Sequence, residues 1–391
     1  MKKYSGHSSM KRTSLGNPEM RLVEKLGQIN WTMVLLILAV AFIGFAMLYS
    51  AAKASFDPWA SRQILRFVIG LFLMFAIAIM DIRFWMRHAY LFYGTGLVLL
   101  VAVEVAGSIG MGAQRWLDFG VLRIQPSEIM KIAIIMALAR YFHTLAIEDV
   151  GRPLYLLVPL FITLAPVVLV LRQPDLGTAV MIVLGAGAMF FIAGVRVWKF
   201  VVVLVLGLAS VPVIWNFLHS YQRNRILTFL NPESDPLGAG YHILQSKIAF
   251  GSGSVFGKGF INGSQSHLEF LPERHTDFIF TMLAEEFGLV GGVMVLLLYS
   301  VLLMYGLAIA LRSRNQFGRL LAMGLTTNLF LYVFANVAMV MGVIPVVGVP
   351  LPLISYGGTA MFSVLVGFGL ILNVYVHKDL RIGRHWSESS V

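Results

Sequence analysis

Long apolar segments recur along this chain, and they constrain its fold more than any other feature. An α-helix needs ~17–25 mainly apolar residues to cross a hydrocarbon core. The chain has ten such runs: 31–51, 64–80, 89–107, 128–145, 154–171, 176–194, 197–217, 277–311, 318–342 and 356–376. The sequence therefore predicts an all-α integral membrane protein with about ten transmembrane helices. The run 277–311 exceeds one simple span, which predicts a helix that is tilted or projects beyond the bilayer.

The composition agrees with this fold class and leaves room for one helical domain. Charged residues make up 13% of the chain, against roughly 25% in an ordinary soluble domain. We expect a transmembrane domain at 29–378, a disordered basic tail at 1–28 and a short tail at 379–391. The tail 1–28 lacks the apolar core and cleavage site of a signal peptide. The absence of cysteine excludes disulfides, Cys-ligated zinc and a thiol nucleophile.

The distribution of Lys and Arg predicts the orientation of the chain in the membrane. With the N-terminus in the cytoplasm, 18 of the 30 Lys and Arg residues fall on the cytoplasmic side, and five of the other 12 lie in the long loop 218–276. Because short cytoplasmic loops are enriched in Lys and Arg, we expect both termini in the cytoplasm. The loop 218–276, between helices 7 and 8, is then external. We interpret the net charge of +11 as a match to anionic lipid at the cytoplasmic leaflet, and we expect no nucleic-acid partner.

Several stretches match the motifs of soluble enzymes only in part. The stretch "GSGSVFGKGF" at 251–260 is similar to a phosphate-binding loop, but Ser252 replaces its first glycine and Gly259 follows Lys258 where Ser or Thr is required. The Ser-x-x-Lys matches at Ser8 and Ser50 lack a Lys-Thr-Gly partner motif, which argues against transpeptidase chemistry. No His-Glu-x-x-His zinc signature is present, and we identify no protein metal site.

Ionisable residues cluster around the fourth predicted span. Arg115 and Trp116 precede it, while Glu128 and Lys131 lie within it, three residues apart and therefore on one helical face. Charges inside a span usually face the bundle interior or a cavity and find a partner. We favour a substrate site, and the alternative is a pair that only stabilises helix packing. Trp116 also suits the aromatic belt at a membrane interface.

The sequence "RHTDF" places Asp277 at the start of the eighth predicted span. Asp277 and Glu285 are eight residues apart, so a helix would put both on one seam, with Glu286 pointing elsewhere. A carboxylate beside a long loop suits catalysis. The alternative is that Asp277 caps the helix, because Thr and Asp both favour helix starts.

Two further groups of charged residues flank predicted spans. Arg172 and Asp175 lie in a short turn around Pro174, where helix capping explains Asp175 as well as function does. Arg223 and Arg225 begin the long loop and suit a bidentate grip on phosphate, although exposed arginines are most often simply solvated.

The stretch "MGVIPVVGVPLPLISYGGT" between the last two spans contains neither Lys nor Arg. Irregular backbone at membrane depth is tolerated only where protein buries it or where it lines a water-filled cavity. We therefore expect a re-entrant wall of the site, with a compact external turn as the alternative.

Four stretches together resemble one family. They are "GAQRWLDFGVLRIQPSEIMKIA", "RQPDLGTA", "NGSQSHLEFLPERHTDFIFTMLAEEFG" and "VIPVVGVPLPLISYGGTAM". In this order they are similar to the motifs of the SEDS family (shape, elongation, division and sporulation), and their residues resemble those of its rod-shape members most. The resemblance covers about 31–378, so the tail 1–28 lies outside it.

The resemblance implies a peptidoglycan glycosyltransferase of the bacterial inner membrane that polymerises lipid II into β-1,4 strands at the outer face during cell elongation and releases polyprenyl pyrophosphate. It implies a class B penicillin-binding protein and other elongation-complex membrane proteins as partners. The family's essential aspartate corresponds to Asp277, its arginine–tryptophan pair to Arg115 and Trp116, and its fourth-helix charges to Glu128 and Lys131. His275, beside Asp277, joins the predicted substrate-binding residues, as do Arg223 and Arg225.

The chemistry of this reaction is consistent with that set. A sugar hydroxyl attacks an anomeric carbon whose pyrophosphate leaving group departs as a stable anion, so one carboxylate base and several cations suffice. A divalent cation, Mg or Mn, would accompany the pyrophosphate. Two other functions stay open on the sequence: a lipid II flippase, since transporters also bury charges near the midplane, and a scaffold without catalysis.

Overall fold

The computed structural model describes residues 22–110, 113–118, 120, 123–146, 148–217, 220–231, 239–267 and 274–383. Most of the two predicted tails, 1–21 and 384–391, lies outside these residues. Residues Leu22–Gly27 of the N-terminal tail form a short helix, α1.

Helices dominate the described residues. After α1 they are α2 Trp31–Ala51, α3 Ala60–Ile79, α4 Ile82–Ala106, α5 Pro126–Thr144, α6 Pro153–Arg172, α7 Leu176–Ala193, α8 Val197–Phe217, α9 Ser220–Leu230, α10 Ala239–Ser252, α11 Ser264–His267, α12 Ile279–Arg312, α13 Gln316–Val340 and α14 Gly358–Val376. Between α4 and α5 lies a small antiparallel sheet of β1 Ser108–Gly110, β2 Ala113–Asp118 and β3 Arg123–Ile124, in that order.

The prediction of an all-α membrane protein is confirmed. Among the described residues, eight helices are long and apolar enough to cross a membrane: α2, α3, α4, α6, α7, α12, α13 and α14. The two remaining predicted spans coincide with α5 and α8. Helix α5 is more polar because it carries Glu128, Lys131 and Arg140, and α8 is apolar over Val197–Val213, with Pro212 inside the helix.

The burial of each helix shows where it lies in the bundle. Helix α5 is buried on nearly all sides from Pro126 to Ala139, which places it at the centre. It packs against α4, α7 and α13, while α14 packs along α3 and α12 packs along α13. Residues 201–209 of α8 are all exposed, so α8 lies at the periphery.

The bundle has two ends that close differently. At the end called here the Asp277 end, α12 begins, α13 ends and α14 begins. At the opposite, His377 end, the backbone N–H of Arg314 donates to the carbonyl of Lys378 at 2.9 Å. There the Asn373 amide, near the end of α14, donates to three carbonyls around the turn between α3 and α4: Ile77 at 2.9 Å, Ala78 at 3.2 Å and Met80 at 2.5 Å.

Helix α12 is broken rather than continuous. Gly288 has φ 66° and ψ −162°, which divides α12 into a first half at 279–287 and a second half at 289–312. Only glycine adopts this backbone region readily, because it has no Cβ. The length of the run predicts one tilted or projecting helix, and the structure corrects this to two helical halves.

Candidate functional site

Asp277 lies just outside α12, in the turn formed by residues 274–278. The N-cap of α12 is Phe278, whose side chain has no hydrogen-bond acceptor, so Asp277 does not fill the capping position. Because the helix begins two residues after Asp277, the predicted helical seam shared with Glu285 is wrong. Asp277 is half-buried, at a point where its carboxylate meets irregular backbone.

That irregular backbone is the Gly- and Pro-rich segment 341–357. Residues 351–355 are buried. A Cβ added to Gly44, inside α2, would lie 2.6 Å from the Leu353 carbonyl oxygen. The hydroxyl of Tyr299, inside α12, donates to the Pro352 carbonyl. The segment therefore enters the bundle between helices, which favours the re-entrant wall over a compact turn.

Four hydrogen bonds join the Asp277 turn to this segment and to α13. They are Tyr356 N to His275 O at 2.8 Å, Ser355 Oγ to Thr276 O at 2.6 Å, and Asn336 Nδ2 to both Asp277 O at 2.8 Å and Val349 O at 2.7 Å. Asn336 is completely buried, so its amide fixes both carbonyls away from water. The Asp277 Oδ2 atom lies 3.4 Å from the position that a Cβ on Gly348 would take. The contacts thus fix the main chain of Asp277 against the glycine backbone.

A row of aromatic and cationic side chains lies beside this turn. The His275 ring stacks on Trp59 with centroids 4.4 Å apart, and it lies tilted against Tyr356 at 6.0 Å. The guanidinium of Arg66 lies 5.1 Å from the Tyr356 ring centroid. Neither Trp59 nor Arg66 is among the residues predicted from the sequence. A cation inside the apolar run 64–80 was the available signal for Arg66.

Glu128 and Lys131 form a buried cluster deeper in the bundle. The Lys131 ammonium lies 2.8 Å from Glu128 Oε1 and 4.2 Å from the Tyr332 ring centroid. The other carboxylate oxygen, Oε2, accepts from the Tyr332 hydroxyl and from Ser363 Oγ. Tyr332 and Ser363, which sequence reasoning missed, also line a small cavity between α13 and α14. Both oxygens of Glu128 are therefore occupied by donors.

Helix α13 connects this cluster with the Asp277 turn. Tyr332 contacts Glu128, and Asn336, four residues later, holds the Asp277 carbonyl. Residues four apart lie on one helix face, about one turn from each other. The two polar groups are thus neighbours along α13.

The remaining predicted residues have other contacts. On β2, Arg115 donates to the Pro174 carbonyl at 2.8 Å, and its Nε lies 3.5 Å from Asp175 Oδ2. Asp175 itself accepts from the backbone N–H of Thr178 at 3.1 Å and is the N-cap of α7. Asp175 therefore caps a helix, which is the structural alternative given above. Arg115 connects the small sheet to this turn.

Trp116 and the two loop arginines lie on peripheral elements. The guanidinium of Arg123 lies 5.6 Å from the Trp116 ring. Arg223 donates to the Asn216 carbonyl at 2.8 Å, where α8 leads into α9. The side chain of Arg225 lies outside the described residues. Among the residues that the structure describes, no group of three or more His, Asp or Glu side chains is arranged to hold a metal ion.

Comparisons with known proteins give a consistent result. A family model named FtsW/RodA/SpoVE, described as a cell cycle protein, matches residues 30–380. The peptidoglycan glycosyltransferase MrdB of Escherichia coli K12 is 45% identical over 368 residues, which cover 93% of this chain and 98% of MrdB. Stage V sporulation protein E of Bacillus subtilis is 37% identical, covering 88% of this chain and 95% of that protein.

Solved structures share the fold. A chain from a peptidoglycan synthase complex, described as coordinating polymerization and crosslinking, superposes with a TM-score of 0.78 at 34% identity, covering 90% of this chain and 98% of that one. The rod shape determining protein RodA of Thermus thermophilus gives a TM-score of 0.68 at 30% identity, covering 90% of this chain and 98% of RodA.

Proposed function

Because this chain belongs to the FtsW/RodA/SpoVE family, we propose that it is a peptidoglycan glycosyltransferase that polymerises lipid II during cell elongation. The glycosyltransferase MrdB, 45% identical over nearly the whole chain, supports this activity. The observation that carries the proposal is the Asp277 turn, where one half-buried carboxylate lies against a re-entrant segment at the end of a membrane bundle. That position suits a substrate with a lipid tail and a polar head.

In the proposed reaction Asp277 is the general base. Its carboxylate takes the proton from the attacking sugar hydroxyl while the bond to the pyrophosphate leaving group breaks. Attack opposite the leaving group converts an α-linked donor into a β-linked strand. The bonds from Asn336, Ser355 and Tyr356 fix the backbone on which the base sits, so little reorganisation is needed during the reaction.

Cations near the pyrophosphate complete the proposed site. We retain Lys131, Arg115, Arg223 and Arg225 as proposed contacts for its charge. Trp116, Glu128 and His275 are the other proposed substrate-binding residues. In the structure Lys131 is held by Glu128 and Tyr332, so these two side chains would set the position of its charge. A Mg or Mn ion would be carried by the pyrophosphate itself, since Asp277 offers only one carboxylate.

Orientation and partners form part of the same proposal. The excess of Lys and Arg on one side supports an inner-membrane protein with cytoplasmic termini and an external Asp277 end. A polymerase without a transpeptidase motif leaves its strands uncrosslinked, so we infer a class B penicillin-binding protein as partner. A relative found in a complex that coordinates polymerization and crosslinking supports this inference.

Polymerisation by purified protein separates this function from a lipid II flippase. In detergent there are no two sides to transport between, so a flippase makes no glycan there. We expect the purified chain, alone or with its transpeptidase partner, to convert lipid II into glycan strands that a gel resolves. Transport of lipid II across vesicles without any polymer under either condition would establish the flippase instead.

A further inference from the structure

The break in α12 at Gly288 is bridged by a segment from elsewhere in the chain. In a continuous helix the backbone N–H groups of Leu289 and Val290 would donate to carbonyls four residues earlier. Here Leu289 donates to the Ser254 carbonyl at 3.0 Å, and Val290 donates to the Val255 carbonyl at 3.1 Å. Residues 254–259, called here the bridging segment, thus accept the bonds that the helix does not form.

The same segment also satisfies the carbonyls left open by the break. Lys258 N donates to the Glu285 carbonyl and Gly259 N donates to the Glu286 carbonyl, both at 3.0 Å. These carbonyls are the ones that Leu289 and Val290 would use in an unbroken helix. The bridging segment therefore replaces one helical turn without leaving any of these four groups unpaired.

This contact explains the glycine-rich stretch 251–260 that fails as a phosphate loop. A Cβ on Gly257 would lie 2.1 Å from the Glu286 carbonyl oxygen, and one on Gly253 would lie 2.0 Å from the Ala284 carbonyl oxygen. Only glycine permits two backbones to approach this closely. The spacing of these glycines thus serves docking onto α12.

One ion pair accompanies the backbone contacts. The Lys258 ammonium lies 2.8 Å from Glu285 Oε1, and the Glu285 side chain is completely buried while that of Lys258 is 28% exposed. The backbone N–H of Gln265 donates to the same oxygen at 2.9 Å. Removing a cation from a buried carboxylate is costly in a low-dielectric environment. The ion pair between Lys258 and Glu285 therefore adds to the backbone bonds that dock this segment onto α12.

We propose that Lys258 is a positioning residue for polymerisation, which holds the first half of α12, and with it Asp277, against the segment 341–357. This inference rests on the proposed role of Asp277. Residues 279–286 are all buried, so the first half of α12 transmits a displacement to the turn two residues before it. Misplacement of a catalytic group by ~1 Å can cost about 10²-fold in rate.

The competing role for Lys258 is a direct contact with the pyrophosphate, and a removable covalent lock distinguishes the two. The chain has no cysteine, so an introduced pair is the only thiol chemistry present. Val255 and Val290, hydrogen-bonded through their backbones, are 50% and 52% exposed. This places them near the Cα separation of ~4.4–6.8 Å that a disulfide spans. Val255→Cys with Val290→Cys fixes the bridging segment on α12 without Lys258.

The experiment measures kcat and KM for lipid II in full-length protein with its partner. Lys258→Met keeps the length of the side chain and removes its charge. We expect kcat to fall roughly 10- to 100-fold with KM nearly unchanged, and we expect the oxidised cysteine pair to restore kcat in the Lys258→Met background. Reduction should abolish this rescue. Lys378→Met, which changes a half-buried lysine at the opposite, His377 end, is the matched control and should keep wild-type kcat.

Three results would overturn the inference. Unchanged kcat in Lys258→Met removes the role altogether. A defect that the formed disulfide does not correct assigns Lys258 to substrate contact, and a raised KM would agree. An oxidised pair that forms as readily in Lys258→Met as in wild type shows that the segment stays docked without the ion pair. Failure of the wild type to polymerise would instead refute the proposed function, since disulfide formation is scored independently of activity.

Discussion

The two ends of the bundle use the same device for different purposes. At each end a completely buried asparagine donates to main-chain carbonyls. Asn373 at the His377 end donates to the last turn of α3 and to Met80 after it, and Asn336 at the Asp277 end donates to two irregular segments. Asn373 fastens α14 to the turn between α3 and α4, so it joins helices to each other. Asn336 instead fastens two irregular segments, one of which carries a half-buried carboxylate.

The difference agrees with the proposed placement of the chemistry at the Asp277 end. The His377 end has a short capped turn, in which the Asp81 side chain accepts from Arg83 N at 2.7 Å and begins α4. The Asp277 end has a re-entrant segment and a broken helix, whose backbone bonds are satisfied by other parts of the chain. Irregular backbone inside a membrane bundle is tolerated where protein buries it or where it lines a water-filled cavity. The comparison predicts that equivalent changes have different consequences at the two ends.

The largest difference is expected between the two aspartates. Asp277→Asn keeps size and polarity but removes the basic oxygen, so polymerisation should fall ~10²–10⁴-fold, the usual loss for a general base. Folding and lipid II binding should be unchanged. The matched control is Asp81→Asn, which should retain activity because Asn and Asp cap helices about equally well. Gel assays of glycan and thermal unfolding in detergent measure both. An active Asp277→Asn enzyme would remove the main distinction between the ends.

An intermediate effect is expected at the buried cluster of Glu128 and Lys131. Removing one member of a buried ion pair leaves an uncompensated charge, which typically costs ~3–5 kcal/mol. Lys131→Met and Glu128→Gln should each be destabilised by about this much, and the double variant should recover much of it. If Lys131 binds pyrophosphate, the double variant stays inactive although folded. Restored polymerisation would show that the pair only stabilises packing and would confine the chemistry to the Asp277 turn.

The fold follows from the sequence more completely than the site does. Apolar runs dictate spanning helices because lipid accepts little else, and α2 and α8 begin and end where their runs do. The hydrogen bond from Asn336 to the Asp277 carbonyl was not predictable in the same way, since it joins residues 59 positions apart and depends on tertiary packing. The break at Gly288 was hidden for a similar reason. Gly291 and Gly292 lie close by, and only the docked segment 254–259 determines which glycine bends.

The smallest expected effect compares the two asparagines directly. Asn336→Leu and Asn373→Leu are similar in size, and each removes a side-chain donor from buried carbonyls, a loss of ~1–3 kcal/mol for a group left unsatisfied. Both variants should therefore lose comparable thermal stability. Only Asn336→Leu should also lower kcat, because only Asn336 holds the backbone of Asp277. A displacement of ~1 Å can cost about 10²-fold in rate, and we expect a smaller displacement here, so kcat should fall on the order of tenfold with KM little changed. Equal kcat in the two variants would show that the hydrogen bonds of both asparagines serve stability alone, and that the carboxylate of Asp277 keeps its position without Asn336.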